Sequence, residues 1–572
     1  MRTEVLQAPA RRALMLAALF LLALVPRLYS ATTLGWDWDG PGSFTLINFD
    51  EGGSCRAALD GFSYSGFIGH QTIALASALG APPPPGIHGD ARAVKQYCHS
   101  PEHIRVARTY SAVLGALTVV SLAVLTLQLL PTRPVIAWTA AALLAVSGFH
   151  ISESQSGTVD AASVFFIYTF LAALAWALRR RSMPGLVLAV LLMVAAVWTK
   201  YWVFAVFAWC ALLPARTWHY LGTGFSGVRI AALVIALSVF LAAVSNADFP
   251  VPALLAPLAV YYLLVPWQAA PLPMRLVWAF LPLALWGAMQ LDLVYSYTQG
   301  GESGRFGGGY AAIGANKWLR NLVNVPAVLA VGLGIPALLC LIRGVACLWR
   351  ARSPHRVWAC MLPVLAFLLF MAFLAPVTYY RHYLPLLPAA ALLAAMGLHT
   401  FSWGSRPAVL ALFIAWPSLL AWDLVVDYHR DPRIALREWY AEHPGKRVFV
   451  TFYVSPPASQ SRLFRPEYAD GDGAALRQAD YLVLSENWYD TAFPNELNGP
   501  VAAPPERLVK TRPAYAQFYR QALRGEHPLL QQSKVIALEH FMPEMLLHRR
   551  FYGNFQLFVG DLEIHRVRSQ GQ

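Results

Sequence analysis

The amino-acid sequence predicts a polytopic α-helical membrane protein that carries a C-terminal α/β domain outside the cytoplasm. Three observations predict it. The 572-residue chain is 57% hydrophobic and only 13% charged, whereas roughly a quarter of a typical soluble protein is charged. Its apolar residues gather into long runs, and arginine recurs in the short segments between them. From about Asp427 the texture changes: charge rises, the long runs stop, and short strand-like stretches replace them. The net charge of +13 is spread over the separating segments, which encodes membrane topology and argues against a nucleic-acid partner.

The first apolar run sits in "MRTEVLQAPARRALMLAALFLLALVPRLYS". No convincing small-residue cleavage site precedes "WDWDG", so it reads as an uncleaved helix. Apolar helices are expected near 13–30, 107–130, 134–148, 159–178, 184–199, 201–214 and 230–246, then near 250–267, 274–293, 321–342, 356–377, 383–402 and 407–425. That is about thirteen, some shorter than the ~20 residues of a perpendicular span. An odd count puts the termini on opposite sides. With the N-terminus cytoplasmic, the inner segments contain Arg11, Arg12, Arg133, Arg179 to Arg181, Arg343 and Arg350, and most short outer turns are poor in Arg and Lys. The expected division is a membrane domain over residues 1–426, with a first outer loop at 31–106, and an outer α/β domain over 427–572.

In the tail, "RVFVTFYVS", "ADYLVLSENWYD" and "NFQLFVGDLEIHRV" read as strands, and "DPRIALREWYAEHPGK" as a helix ending at Pro444-Gly445. The cysteines fit the same map. Cys210, Cys340, Cys347 and Cys360 fall in or near helices, where buried thiols are ordinary. Cys55 and Cys98 share the first outer loop, a compartment that permits disulfides, and are expected to pair.

Four outward-facing features could do chemistry. Asp50 and Glu51 stand side by side after the first helix; adjacent carboxylates there could act as a general base or hold a divalent cation. "HISESQSGTVDAASVFF" places Asp160 at the start of a helix, where the dipole favours a carboxylate whatever its role. "VWTKYWVF" carries Lys200 and Tyr201 at a helix junction. "YYRHYLPLLP" puts Arg381, with His382 and Tyr383, in a short outer turn against the usual charge bias. A reaction that deprotonates a hydroxyl and expels a phosphate needs such a set, a carboxylate base with cations on the leaving group. The Gly-rich "TQGGESGRFGGGY" lacks the GK[ST] ending of a phosphate-cradling loop and is read as flexible chain.

These residues resemble the C-type membrane glycosyltransferases. More narrowly, they resemble the bacterial branch related to protein O-mannosyltransferases and the lipid A aminoarabinose transferase. The resemblance runs in order through Asp50-Glu51, "RVARTYSAVLGALTVVSLAVL", the Asp160 turn, "TKY", "RHYLPLLP" and the tail segments. It implies transfer of a sugar from a polyprenyl-phosphate donor in the membrane to an acceptor outside the cytoplasm (glycan, lipid or protein), with inversion. It also implies a bacterial inner-membrane location. By the same resemblance Asp50 is the catalytic or acceptor-activating acid, Glu51 its neighbour and Asp160 the second loop acid. Lys200 and Arg381 are the contacts to the lipid phosphate, flanked by Tyr201, His382 and Tyr383. The sequence departs from relatives at Gly52-Gly53, where they often carry Ala and a bulkier residue.

A transporter or lipid flippase, or a noncatalytic scaffold, would also need many helices. A transporter is expected to show ionisable residues near the midplane and pseudo-symmetric halves. Here the informative charges cluster on one face, and no half resembles the other.

Overall fold

The computed structural model describes residues 2–200, 325–350, 361–368, 380–489, 513–538 and 560–568, with short interruptions inside these ranges. The helices expected near 201–214, 230–246, 250–267 and 274–293 lie outside the described residues, as do Tyr201, Cys210 and Cys360.

Of the expected helices, four described ones are long and apolar enough to cross a membrane unaided. They are α1 (Arg2–Thr33), α5 (Pro101–Leu129), α8 (Asp160–Arg180) and α12 (Pro407–His429). A fifth crossing arises if α6 (Pro134–Ala145) and α7 (Gly148–Gln155), bent by 57°, count as one span. Between them lie α9 (Met183–Thr199), α10 (Ile335–Arg350) and α11 (Leu386–Leu398). The starts follow local chemistry: Ser100 caps α5 by accepting from the His103 amide, with Pro101 at the first helical position. Proline opens α6 and α12 in the same way.

One continuous core joins α1, α5, α6, α8, α9, α10 and α11. Helices α5 and α8 run through its middle, whereas α1 and α12 expose Leu21, Leu22 and Val25, and Leu412, Leu419 and Trp422, as a lipid-facing surface requires. At the α10–α11 crossing, Gly344 and Gly397 let the backbones touch; a Cβ on either would strike a carbonyl of the opposite helix.

The first loop, in which the sequence marked no elements, folds into three short helices: α2 (Gly53–Asp60), α3 (Phe67–Ala78) and α4 (Ala91–Cys98). None was foreseen, because a span of only eight to twelve residues gives too little periodicity to separate from a turn. The Cys55–Cys98 disulfide forms as expected and staples α2 to α4.

Beyond α12 come α13 (Pro432–Glu442) and a five-stranded mixed sheet in the order β2-β1-β3-β5-β4. Its strands are β1 (Val448–Val450), β2 (Ser461–Leu463), β3 (Tyr481–Ser485), β4 (Leu530–Ile536) and β5 (Leu562–Val567). β1 runs parallel to β2 and β3; β5 is antiparallel to β3 and β4. Side chains alternate across it, as strand geometry dictates. Val448, Val450 and Val483 join Trp439 and Tyr440 of α13 with Phe44 and Leu46 of the first loop, so the sheet rests on that loop. Phe449, Leu482 and Leu484 face Tyr519 and Ala522 on the other side. The expected strand at 447–455 ends by Val450, and the one at 479–490 becomes a short helix after Ser485.

Candidate functional site

The loop after α1 makes a tight turn at Asp50 and Glu51. The Asn48 carbonyl oxygen accepts from the Glu51 amide at 3.1 Å, and the Asn48 side chain accepts from the Asp50 amide at 3.0 Å. The two acids then point to different partners. Glu51 is 1% exposed and faces Arg108 of α5, itself fully buried. Arg108 Nε and Nη2 donate to the two Glu51 oxygens at 2.7 and 2.8 Å. Those oxygens also accept from the Gly157 amide at 2.8 Å and the Ile47 amide at 2.9 Å. Arg108 gives two further donors to the carbonyls of Leu34 and Thr45. Glu51 thus fastens the end of α1, the first loop, α5 and the turn before α8 to one guanidinium. All its lone pairs facing protein are engaged, so it does not fit the divalent-cation role considered for Asp50 and Glu51. Among the described residues no group of three His, Cys, Asp or Glu side chains is arranged to hold a metal.

Asp50 instead stays partly accessible and pairs with Arg381. Arg381 lies in a single 3₁₀ turn (Tyr380–Tyr383) that leads into α11, and its Nη1 also donates to Asn48 at 3.2 Å. Beside it, His382 is buried and Tyr383 is fully buried in the helical core. The second ion pair joins Lys200, at the C-terminal end of α9, to Asp160, the first residue of α8. Two carboxylates and two cations drawn from four separate stretches of sequence therefore meet as two ion pairs at one rim of the bundle.

Two further residues join them that the sequence did not single out. Glu153, near the end of α7, is 6% exposed, and electrostatic interactions reach it from Asp160, Arg381, Lys200 and Asp50. Its segment is quoted above, but one carboxylate within "HISESQ" has no spacing to mark it. Tyr453 comes from the sheet, just past β1. Its φ of 74° makes it the single non-glycine residue with positive φ among the described residues, a conformation costing about 1–3 kcal/mol that persists only when its surroundings enforce it. Its ring packs edge-on against Trp488 at 5.5 Å. Loss of water, then the nearby Asp50 charge, push the phenol up to about 12, with Arg381 acting the other way. Tyr453 is therefore a neutral donor beside the Asp50–Arg381 pair.

Behind the acid turn, Gly52 adopts a φ of 78°, and a Cβ there would come within 2.6 Å of the His99 ring. That contact explains the glycine at this position. On the far side, Arg27 of α1 donates to the Ala145 carbonyl at 3.1 Å and to His150 Nδ1 at 2.9 Å, filling the break between α6 and α7. Because arginine only donates, His150 Nδ1 is the acceptor and carries no proton.

A bundle of apolar helices with a sheet seated on its first loop, and an acid–cation cluster at the rim between them, has the architecture of a multi-pass membrane protein. Within it, residues 60–256 match the model of the family described as dolichyl-phosphate-mannose-protein mannosyltransferase. The match spans Asp160 and Lys200 and leaves Asp50 and Arg381 outside it. No curated protein sequence matches the chain. The fold is similar to that of archaeal oligosaccharyltransferase AglB from Archaeoglobus fulgidus, solved with an inhibitory peptide and a dolichol-phosphate. The TM-score is 0.50 at 11% identity, over 87% of this chain and 71% of that one. The apo form of the A. fulgidus oligosaccharyltransferase aligns at a TM-score of 0.47 and 13% identity, covering 87% of this chain and 72% of that one.

Proposed function

We propose that this protein is an integral membrane glycosyltransferase. It moves a sugar from a polyprenyl-phosphate donor to an acceptor hydroxyl on a glycan, lipid or protein outside the cytoplasm, with inversion at the anomeric carbon. The observation that carries this reading is the coincidence of the Asp50–Arg381 and Asp160–Lys200 ion pairs at one rim of an apolar bundle. The family domain and the shared fold support it. A prenyl chain stays in lipid while its phosphate reaches the rim, which places the reacting carbon beside the cations. The N-terminus is assigned to the cytoplasm and the sheet to the outer face of a bacterial inner membrane, in line with the arginine distribution.

The chemistry follows from the charges. Arg381 and Lys200 are each held by a carboxylate. A donor phosphate offers them a second anion, and an Arg–phosphate contact is a strong charge-assisted pair. Once the phosphate takes Arg381, Asp50 loses its partner and becomes free to accept the proton of the acceptor hydroxyl. The cations stabilise charge as it collects on the departing lipid phosphate. Asp160 acts through Lys200, holding the ammonium in place until the donor arrives. Glu51 and Arg108 position the acid turn.

The test is sugar transfer by the purified full-length protein in lipid nanodiscs, using a panel of radiolabelled polyprenyl-phosphate sugars and a membrane extract as acceptor. Wild type should transfer label and Asp50→Asn should not, at equal expression and Tm. No transfer by wild type from any donor of the panel, or equal transfer by Asp50→Asn, would refute the assignment.

A further inference from the structure

Glu153 is an anomaly in electrostatic terms. Its side chain is almost wholly buried, and its Oε2 has no hydrogen-bond partner among the described residues. An ionised carboxylate left like this is costly, and buried charges are normally paired. The two cations of the site are already matched one for one by Asp50 and Asp160. The buried arginines of the bundle are engaged elsewhere: Arg108 of α5 with Glu51, and Arg27 of α1 with His150. Tyr428 of α12 also lies within electrostatic range of Glu153. Three carboxylates thus face two cations. The local structure holds Glu153 there: Ser156 Oγ donates to the Glu153 carbonyl at 3.1 Å, and the adjacent Gly157 amide is bound to Glu51.

We propose that Glu153 is a further catalytic residue, a neutral carboxylic acid that presents its proton to the phosphate of the bound donor. The inference rests on the glycosyl-transfer reading above. The donor is a phosphodiester with one negative charge, and its arrival adds an anion beside Asp50 and Asp160. A protonated Glu153 adds no further charge and supplies a second donor O–H, on the helical side of the site opposite the phenol that Tyr453 brings from the sheet.

The step balances. The bond from the anomeric carbon to the phosphate oxygen breaks, and its electron pair stays on that oxygen. The acceptor oxygen bonds to the carbon and yields its proton to Asp50. The Glu153 proton moves to the phosphate oxygen, so the lipid phosphate departs as a singly charged monoester. Asp50 then returns one proton to Glu153 and both groups are reset. A neutral acid placed at the leaving group is how such proton transfers gain their typical 10²–10⁴-fold effect.

Farnesyl methyl phosphate, a phosphodiester of constant charge over the range used, is the probe for the full-length protein in nanodiscs. Its affinity is measured by calorimetry between about pH 6 and 9. For a single linked proton, affinity falls by at most about tenfold per pH unit once the group ionises. Wild type should bind the probe and lose at least about tenfold in affinity toward the alkaline end. Glu153→Gln keeps the shape and cannot ionise, so its affinity should stay flat. Glu153→Asp should restore the decline. A Glu153→Gln decline parallel to wild type assigns the titration to Lys200 and overturns the proposal, as does a flat wild-type profile if the glutamine variant does not fold. Failure of wild type to bind at any pH refutes the lipid-phosphate reading itself, and this inference with it.

Discussion

Arg108 meets Glu51 through two parallel hydrogen bonds of 2.7 and 2.8 Å, with both side chains completely buried. Every other hydrogen bond of this pair goes to backbone of a different segment, so the pair acts as the hub on which the acid turn is hung. Removing one partner leaves a charge buried and uncompensated, which costs about 3–5 kcal/mol. Arg108→Leu and Glu51→Gln should each lower Tm in detergent by several degrees, and the double variant should lose less than the sum of the two. Unchanged melting in either single variant would contradict the hub.

The Cys55–Cys98 bridge spans 43 residues of sequence and ends beside the same turn. Closing a loop of that size stabilises by up to about 4 kcal/mol in the chain-entropy model. Cys55→Ser should lower Tm and loosen the turn that holds Asp50. Non-reduced peptide mapping should recover the two cysteines as one linked species; recovery of both as free thiols would count against the bridge.

How much of this was legible in the sequence differs from element to element. The long helices α1, α5, α8 and α12 were legible because uninterrupted apolar runs leave no other stable state in lipid. Asp50, Asp160, Lys200 and Arg381 could be picked because charge at a helix end stands out against apolar neighbours. Their pairing could not, since 331 residues separate Asp50 from Arg381 and only the fold closes that distance. Glu51 looked equivalent to Asp50 in sequence and differs through burial alone. Tyr453 was hidden because a positive φ at a tyrosine leaves no compositional trace; it lay inside a stretch whose β-branched and aromatic residues read as continuous strand.

A pH dependence of stability follows from His99, half-buried over Gly52. Burial, followed by the charges of Lys95 and Arg56, lowers its pKa to about 4, with Glu51 opposing. An unfolded histidine titrates near 6.5. The folded form therefore resists protonation, and the unfolded chain binds more protons between these two values. His99 contributes full stability above about pH 6.5, and this is lost as pH falls toward about 4, at up to about 1.4 kcal/mol per pH unit. Denaturant titrations of wild type and His99→Gln should show the variant with the shallower decline. Equal slopes would remove His99 as the cause.

Tyr453 gives the sheet a hand in the reaction, under the proposed function. Its phenol stays protonated at neutral pH, next to Asp50 and Arg381. Tyr453→Phe keeps the ring and its contact with Trp488 and deletes only the O–H. A donor O–H aimed at substrate is worth roughly 0.5–1.5 kcal/mol, or up to about 3 if the acceptor is charged. The expected result is a fall in kcat/KM of about 2- to 150-fold with Tm unchanged. If kcat/KM holds at the wild-type value, the phenol has no part beyond packing.

The Asp50–Arg381 pair predicts how donor binding fails when the cation changes. Arg381 reaches both Asp50 and Asn48, so its guanidinium bridges two side chains of the acid turn. Alanine removes the charge and frees Asp50, so Arg381→Ala should weaken farnesyl methyl phosphate binding by about 10- to 150-fold, the loss of one charge-assisted contact of about 1.5–3 kcal/mol. Lysine keeps the charge and loses the fork, and a compact ammonium cannot serve Asn48 and phosphate together. Arg381→Lys should therefore bind between wild type and alanine. Asp50→Asn should act in the opposite sense on this readout, because it removes the carboxylate that competes with phosphate for Arg381. It should bind the probe as tightly as wild type or tighter while its turnover drops by about 10²–10⁴. Weaker probe binding by a folded Asp50→Asn would show that the carboxylate assists the donor instead of competing with it, and the displacement step would fail.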